Sequence, residues 1–298
     1  MSAIVVLGSA NMDLVVRQAR LPRPGETMFG SDFSTVPGGK GLNQAVAAAR
    51  AGGDVGFVGA VGRDEFGDRL RRTLHEEGID TGGLAEVDAP TGTAHIAVLD
   101  GGENAIVVVS GANSAVTALD DESRRRIEDA RLLVAQFERP IELIGEALVV
   151  ARGMGIRTVL TPAPVQPVDD SLLQLVDVLI PNAQEACELA GVGDETEAAL
   201  ALSRLAGLVV MTRGARGVLV AREGAVVTEL PARQVEAVDT TGAGDTFAGV
   251  MVAWLASGAE LEAALRAATV AASISVTRPG ASTSMPTWDE IDAALQQS

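Results

Sequence analysis

Short, almost wholly apolar runs rich in β-branched residues recur along the chain, at Ile4 to Leu7, Val55 to Val58, Leu132 to Ala135, Thr158 to Leu160, Val178 to Ile180 and Leu208 to Met211. Ala-, Leu- and Arg-rich stretches with helical character lie between them. A strand that is apolar throughout, with no polar alternation, has to be covered on both faces, which is the situation of a parallel sheet between two helical layers. The expected class is therefore α/β: a three-layer α/β/α, Rossmann-like arrangement around a mostly parallel central sheet. No low-complexity linker divides the 298 residues, so residues 1–298 read as one domain.

Two segments break the rhythm. Residues 14–36 and 93–109 are strand-like, carry turn signals at Pro24-Gly25 and Gly101-Gly102-Glu103-Asn104, and have no helix between strands. They are expected to form a small separate β-sheet over one edge of the main domain, a lid that would keep water from a reacting phosphate. Two ordinary surface hairpins are the simpler alternative.

The formal net charge of −17 opposes both nucleic acid and an anionic membrane surface as partners, since each is held by dense Lys and Arg. The strongly apolar helical stretch Phe247 to Ala256 is too short to span a bilayer, and the chain opens on a strand-like run, with no basic leader. The single cysteine, Cys187, excludes an intrachain disulfide framework. A soluble cytoplasmic protein is expected. Lys40 is the only lysine, which in an arginine-using chain marks a place for a compact ammonium.

Asp239-Thr240-Thr241-Gly242-Ala243-Gly244-Asp245 leads straight into the apolar helical stretch. A Gly-Ala-Gly turn opening a helix presents unpaired N–H groups backed by the positive end of the helix dipole, an anion hole. Asp245 in the first turn is then placed to take a proton from a hydroxyl attacking a bound phosphoryl group, although capping is the plainer role. A carboxylate beside a polyphosphate makes poor electrostatic sense as a structural device. In Gly38-Gly39-Lys40-Gly41-Leu42-Asn43, the glycines admit a ligand close to the backbone and Asn43 suits a diol. Asn11 and Asp13, after the first strand, add donors and acceptors for a polyhydroxyl substrate, or form a turn. Glu138 falls at the carboxyl end of a strand. Asn182 and Glu185 lie on one helical face, suited to a hydrated Mg²⁺, and equally form a capping-box pattern. The stretch Thr212-Arg213-Gly214-Ala215-Arg216-Gly217 holds ATP phosphates or is a hairpin turn. The P-loop and dinucleotide fingerprints are absent.

Taken together these segments, with Gly8 to Asp13, Gly111-Ala112-Asn113, Pro181 to Glu185 and Val276 to Ala281, resemble the ribokinase-like sugar kinases over nearly the whole chain. The resemblance implies a β-sheet lid, often used to form a homodimer, and transfer of phosphate from ATP to the 5-hydroxyl of a sugar, ribose first. By position, Asn11, Asp13, Gly39, Lys40, Gly41, Asn43 and Glu138 would bind the sugar and Asp245 would be the base, with Gly242, Ala243 and Gly244 as anion hole. Asn182, Thr212, Arg213, Gly214, Arg216, Gly217, Gly244 and Thr269 would contact the nucleotide, and Glu185 the Mg²⁺ water shell. A monovalent cation, K⁺ in this family, would sit at Asp239, Thr241, Ser275, Arg278, Gly280 and Ser284. The chain departs from the family at Thr269, commonly Asn or His, at Thr161-Pro162-Ala163-Pro164, commonly Asn-Pro-Ala-Pro, and at His95, commonly aliphatic and read here as facing solvent. Rival readings are a kinase for deoxyribose, fructose or a nucleoside, and a sugar-binding regulator without catalysis. A nucleoside site wants aromatic platforms, and the chain has six Phe, two Trp and no Tyr.

Overall fold

The computed structural model describes residues 2–101 and 103–297; Gly102, in the expected turn, lies outside them. In chain order the strands are β1 (Ile4–Leu7), β2 (Asn11–Gln18), β3 (Asp32–Gly38), β4 (Val55–Gly62), β5 (Asp80–Val87), β6 (Gly92–Leu99) and β7 (Asn104–Val109). There follow β8 (Leu132–Gln136), β9 (Arg157–Thr161), β10 (Val178–Leu179), β11 (Leu208–Thr212), β12 (Val218–Arg222) and β13 (Ala225–Leu230). Among the described residues, nine strands form one sheet in the order β13-β12-β11-β10-β9-β8-β1-β4-β5. Pairing is parallel from β11 through β5, and β12 and β13 add an antiparallel hairpin at the other end.

Every expected apolar run lies in this sheet, which is covered on both faces. Ile4 and Val6 of β1 join one core, with helices Lys40–Arg50, Ala243–Ala256 and Leu261–Ser275. Val5 and Leu7 join the opposite core, with helices Ile141–Gly153 and Glu195–Leu202. The period-2 geometry of a strand produces this division, and it explains why a run such as Ile-Val-Val-Leu contains no polar position.

Helix Ala243–Ala256 buries Phe247, Val250 and Met251 against helix Lys40–Arg50, each worth roughly 1.5–3 kcal/mol. The two helices meet at Gly249, where a Cβ would stand 2.5 Å from both the Ala47 Cβ and the Gln44 carbonyl oxygen. Gly249→Ala is therefore expected to destabilise the protein by about 1–3 kcal/mol through overpacking. It should also lower activity, since Gln44 and Asn43 lie on the displaced helix. An unchanged urea midpoint would show that the contact is not tight.

The other four strands form a small sheet in the order β3-β2-β6-β7. Two antiparallel hairpins, β2/β3 and β6/β7, are joined by a parallel β2/β6 pair, so segments distant in sequence do make one sheet. It begins at Asn11 and not at Leu14, which places Asn11 and Asp13 in a strand and not in a turn. One face leaves Phe33, Val107 and Val109 more than half exposed. Among the described residues, no helix is long and apolar enough to cross a membrane.

Candidate active site

The carboxyl ends of β1, β8, β9, β10 and β11 point to one place, followed by Ser9, Glu138, Ala163, Asn182 and Arg213. Open parallel sheets bind ligands there. Asp245 enters the same place from the first turn of helix Ala243–Ala256. Its Oδ1 accepts from Gln44 Nε2 at 2.9 Å and its Oδ2 from Asn43 Nδ2 at 3.1 Å. Gln44 is fixed in turn: its Nε2 also donates to Thr161 Oγ1 at 2.9 Å, and its Oε1 accepts from Gln136 Nε2 at 2.8 Å. An amide relay from two sheet strands thus sets the orientation of the carboxylate. Asn43 Oδ1 is buried without a partner among the described residues, an acceptor that a ligand hydroxyl would satisfy.

Gly242 opens the helix in the left-handed region, φ 72°, and a Cβ there would lie 3.1 Å from Ala281. The N–H groups of Gly242, Gly244 and Asp245 have no partner among the described residues, whereas that of Ala243 donates to the Thr240 carbonyl at 3.2 Å. In this structure Ala243 is thus already engaged, and Asp245 supplies a free amide the sequence reading did not assign. Lys40, Gln44, Asn182, Glu185 and Gly242 to Asp245 line a cavity of ≈ 180 Å³.

The cavity is dominated by acid. Burial alone would push the Lys40 ammonium down, but attraction from Asp245, Glu138 and Glu185 outweighs it and the net shift is upward. Burial raises Glu185, against a backbone hydrogen bond from Asn182 and the pull of Lys40. Asp13 is pushed up to about 7 by burial first, then by Glu138 and Asp245. Gly38 makes room for it, since a Cβ there would stand 2.2 Å from Asp13 Oδ2. Glu138 accepts from the Ser9 hydroxyl and, at 3.0 Å, from the Lys40 N–H. Gly39, φ 93°, and Gly41 press against Ser9 and Gly8, which holds Lys40 at the helix start.

The remaining candidates surround this centre. Asn182 and Glu185 form a complete capping box, so one Glu185 oxygen already accepts the Asn182 N–H at 2.8 Å. Thr212 to Gly217 connects the β11/β12 hairpin around a short turn, Gly214–Arg216. Its arginines are tied to carboxylates: Arg216 to Glu195 by two 2.6 Å bonds and Arg213 to Glu229 at 2.6 Å. Thr269 Oγ1 donates to the Leu265 carbonyl at 2.8 Å and lines a second cleft of ≈ 1100 Å³, shared with Glu229 and Arg233. Asp239 Oδ1 and Oδ2 accept from the N–H groups of Thr241 and Gly280 at 2.9 and 2.8 Å, linking the loop before Asp245 to the 276–284 loop. Burial would raise Asp239, but these bonds outweigh it and hold it below the usual carboxylate range. Ser275 and Ser284 donate to the Ala272 and Ala281 carbonyls, and Arg278 pairs with Glu290.

A profile of the pfkB family carbohydrate kinases matches residues 1–288. The chain belongs to that family. This pfkB kinase is 40% identical to ribokinase of Haemophilus influenzae over 295 residues, covering 96% of each chain. It is 41% identical to ribokinase of Bacillus subtilis over 297 residues, covering 99% of this chain and 100% of the other. It superposes on the structure of Arabidopsis thaliana ribokinase complexed with ribose and ATP with a TM-score of 0.94 and 30% identity, covering 100% of this chain and 99% of that one.

Within this pfkB kinase, Gln44, Gln136, Thr161 and Ser9 are site residues that the sequence reading did not assign. Their signal is geometric: each is buried and polar, and each meets its partner across a long sequence separation. His95 is exposed, its ring 3.2 Å from Thr93 Oγ1, in line with the reading of it as solvent-facing.

Proposed function

We propose that this pfkB kinase transfers the γ-phosphoryl group of ATP to the 5-hydroxyl of ribose, in the cytoplasm, with Asp245 as general base. The observation that carries the reading is the pairing of an oriented carboxylate with free amides in the same helical turn. The ribokinase relatives support the choice of sugar, and the half-buried free thiol of Cys187 suits a reducing compartment.

Asn11, Asp13, Gly39, Lys40, Gly41, Asn43 and Glu138 hold the sugar so that its 5-hydroxyl donates to Asp245. As the new O–P bond forms and the bond from the γ-phosphorus to the β-phosphate oxygen breaks, the hydroxyl proton passes to Asp245 and ADP departs. The N–H groups of Gly242, Gly244 and Asp245 stabilise the charge on the transferring oxygens. Asn182 and the backbone of Thr212 to Gly217 border the nucleotide, whose base has room in the cleft beside Thr269. Mg²⁺ neutralises phosphate charge when bound. Glu185 fits it through water better than directly, since one of its oxygens is engaged and no cluster of three metal-ligating side chains occurs among the described residues. A monovalent cation such as K⁺ would be held between the two loops that Asp239 joins, at Asp239, Thr241, Ser275, Arg278, Gly280 and Ser284, mostly through backbone oxygens. Bound there, it would stiffen the turn before Asp245. The small sheet acts as the lid of a single domain, and its exposed apolar face, with Phe33, Val107 and Val109, pairs two copies as a homodimer.

An ADP-release assay over ribose, 2-deoxyribose, fructose and a nucleoside, with and without K⁺, tests the reading. Ribose is expected to give the highest kcat/KM, and K⁺ to raise turnover. Faster turnover of a nucleoside, or no ADP release with any sugar, would overturn it.

A further inference from the structure

The proposed reaction makes no use of Arg139, the residue that follows Glu138 after β8. Its side chain is 4% exposed, and its Nε and Nη1 are buried without a hydrogen-bond partner. Other partly buried arginines face carboxylates, Arg50 with Glu77 and Arg213 with Glu229, while Arg139 has no ion pair among the described residues. Burial pushes its guanidinium down to about 10, which still leaves it charged at neutral pH.

Arg139 lies on the wall of a cavity of ≈ 300 Å³ shared with Asn11, Ser110, Asn113, Glu138 and Gln166. The polar neighbours do not neutralise it. Glu138 makes no ion pair with Arg139 and accepts from Ser9 and the Lys40 N–H through Oε2, and the Asn113 amide is engaged by Ala10 and Asn11. Gln166 donates to the Phe137 carbonyl. A buried cation without a counter-ion is unfavourable unless an anion arrives from outside, and a guanidinium fork matches the oxygens of phosphate or carboxylate. The cavity is large enough for such a group with several waters, each of about 30 Å³.

We propose that this cavity is an oxyanion site in which Arg139 is the principal ligand, taking a small phosphate or carboxylate. The anion is either free or carried by the acceptor sugar at the end remote from the reacting hydroxyl. Asn11 and Glu138 connect the two possibilities, because they also belong to the proposed sugar set. The second source rests on the sugar site proposed above but makes the acceptor an acidic sugar in place of ribose; the first does not rest on it.

The test is calorimetric titration of the nucleotide-free full chain with inorganic phosphate and with ribonate, the C1 carboxylate of ribose, using the wild type, Arg139→Met and Arg139→Lys. At least one anion is expected to bind the wild type, about tenfold or more weaker to R139M, with partial retention in R139K. Phosphate that binds in the presence of saturating ribose identifies a free anion. Ribonate that competes with ribose, without phosphate binding, identifies an acceptor-borne one. R139M removes an unpaired buried charge, so it is expected to melt no lower than the wild type. Phosphate binding equal in all three proteins reports the nucleotide site and overturns the proposal, as does no binding of either anion. Ribose-dependent ADP release is measured on the same samples, so loss of the kinase reading with anion binding intact is distinguishable.

Discussion

Asp245→Asn should lower ribose-dependent turnover by about 10³-fold, within the 10²–10⁴ range typical of a lost general base, while the affinities for sugar and nucleotide stay within a few-fold. The change is nearly isosteric. An asparagine oxygen can still accept from Asn43 Nδ2 or Gln44 Nε2, so the helix contact and the N–H turn at Gly242 survive. The capacity to take a proton in the transition state is lost, and such a loss appears in kcat and kcat/KM together. Single-turnover measurement of ADP formation, beside equilibrium binding of ribose, separates the two effects. Wild-type turnover in the variant would remove Asp245 from the role of base.

Asp13→Asn should raise the stability of the ligand-free protein progressively as the pH rises. The folded carboxyl sits at about 7, above its ordinary 3.8, because of burial and then Glu138 and Asp245. The unfolded chain therefore ionises this group near its ordinary value, while the folded protein keeps it protonated until about neutrality. The wild type pays no penalty below the unfolded value, loses stability as the pH climbs between the two, and carries the full deficit above the folded one. The three-unit gap corresponds to roughly 4 kcal/mol at about pH 8, an upper bound for a group that retains some contact with water. Urea midpoints of both proteins at about pH 5, 6.5 and 8 check this, and a difference that does not change with pH would sink it. The same substitution should weaken ribose binding, since a site arranged for a ligand is unfavourable without one.

Much of the fold was legible because burial on two faces leaves an unambiguous apolar run. β1, β4, β8, β9, β10 and β11 each contain one. β5 carries no such run: it is an edge strand, Asp-Thr-Gly-Gly-Leu-Ala-Glu-Val, half solvated and glycine-bearing. β13 lies at the opposite edge and is largely exposed. β12, Val-Leu-Val-Ala-Arg, is apolar like its neighbours, but it belongs to an antiparallel hairpin outside the strand–helix alternation. The pieces of the small sheet were visible, but the parallel β2/β6 pairing was not, because nothing local encodes which hairpin adjoins which.

The site shows the same contrast. Asp245 and its glycine turn are local chemistry and stand out in a string of letters. The amides of Gln44 and Gln136 matter through contacts separated by 92 to 201 positions, and no spacing rule finds them. Arg139 gave no signal either: in a chain whose cations are nearly all arginine, one more carries no information until its lack of a partner is seen.

The reach of the Asn43–Asp245 bond, 202 residues, has a consequence for synthesis. A ribosome releases the residues around β1 and helix Lys40–Arg50 long before helix Ala243–Ala256, which packs on them and completes the centre. Until that helix emerges, the early segments expose an apolar helix face and an acidic pocket without the amides of Gly242 to Asp245. A nascent chain of this protein is thus catalytically silent and in need of shielding until its final fifth has left the exit tunnel.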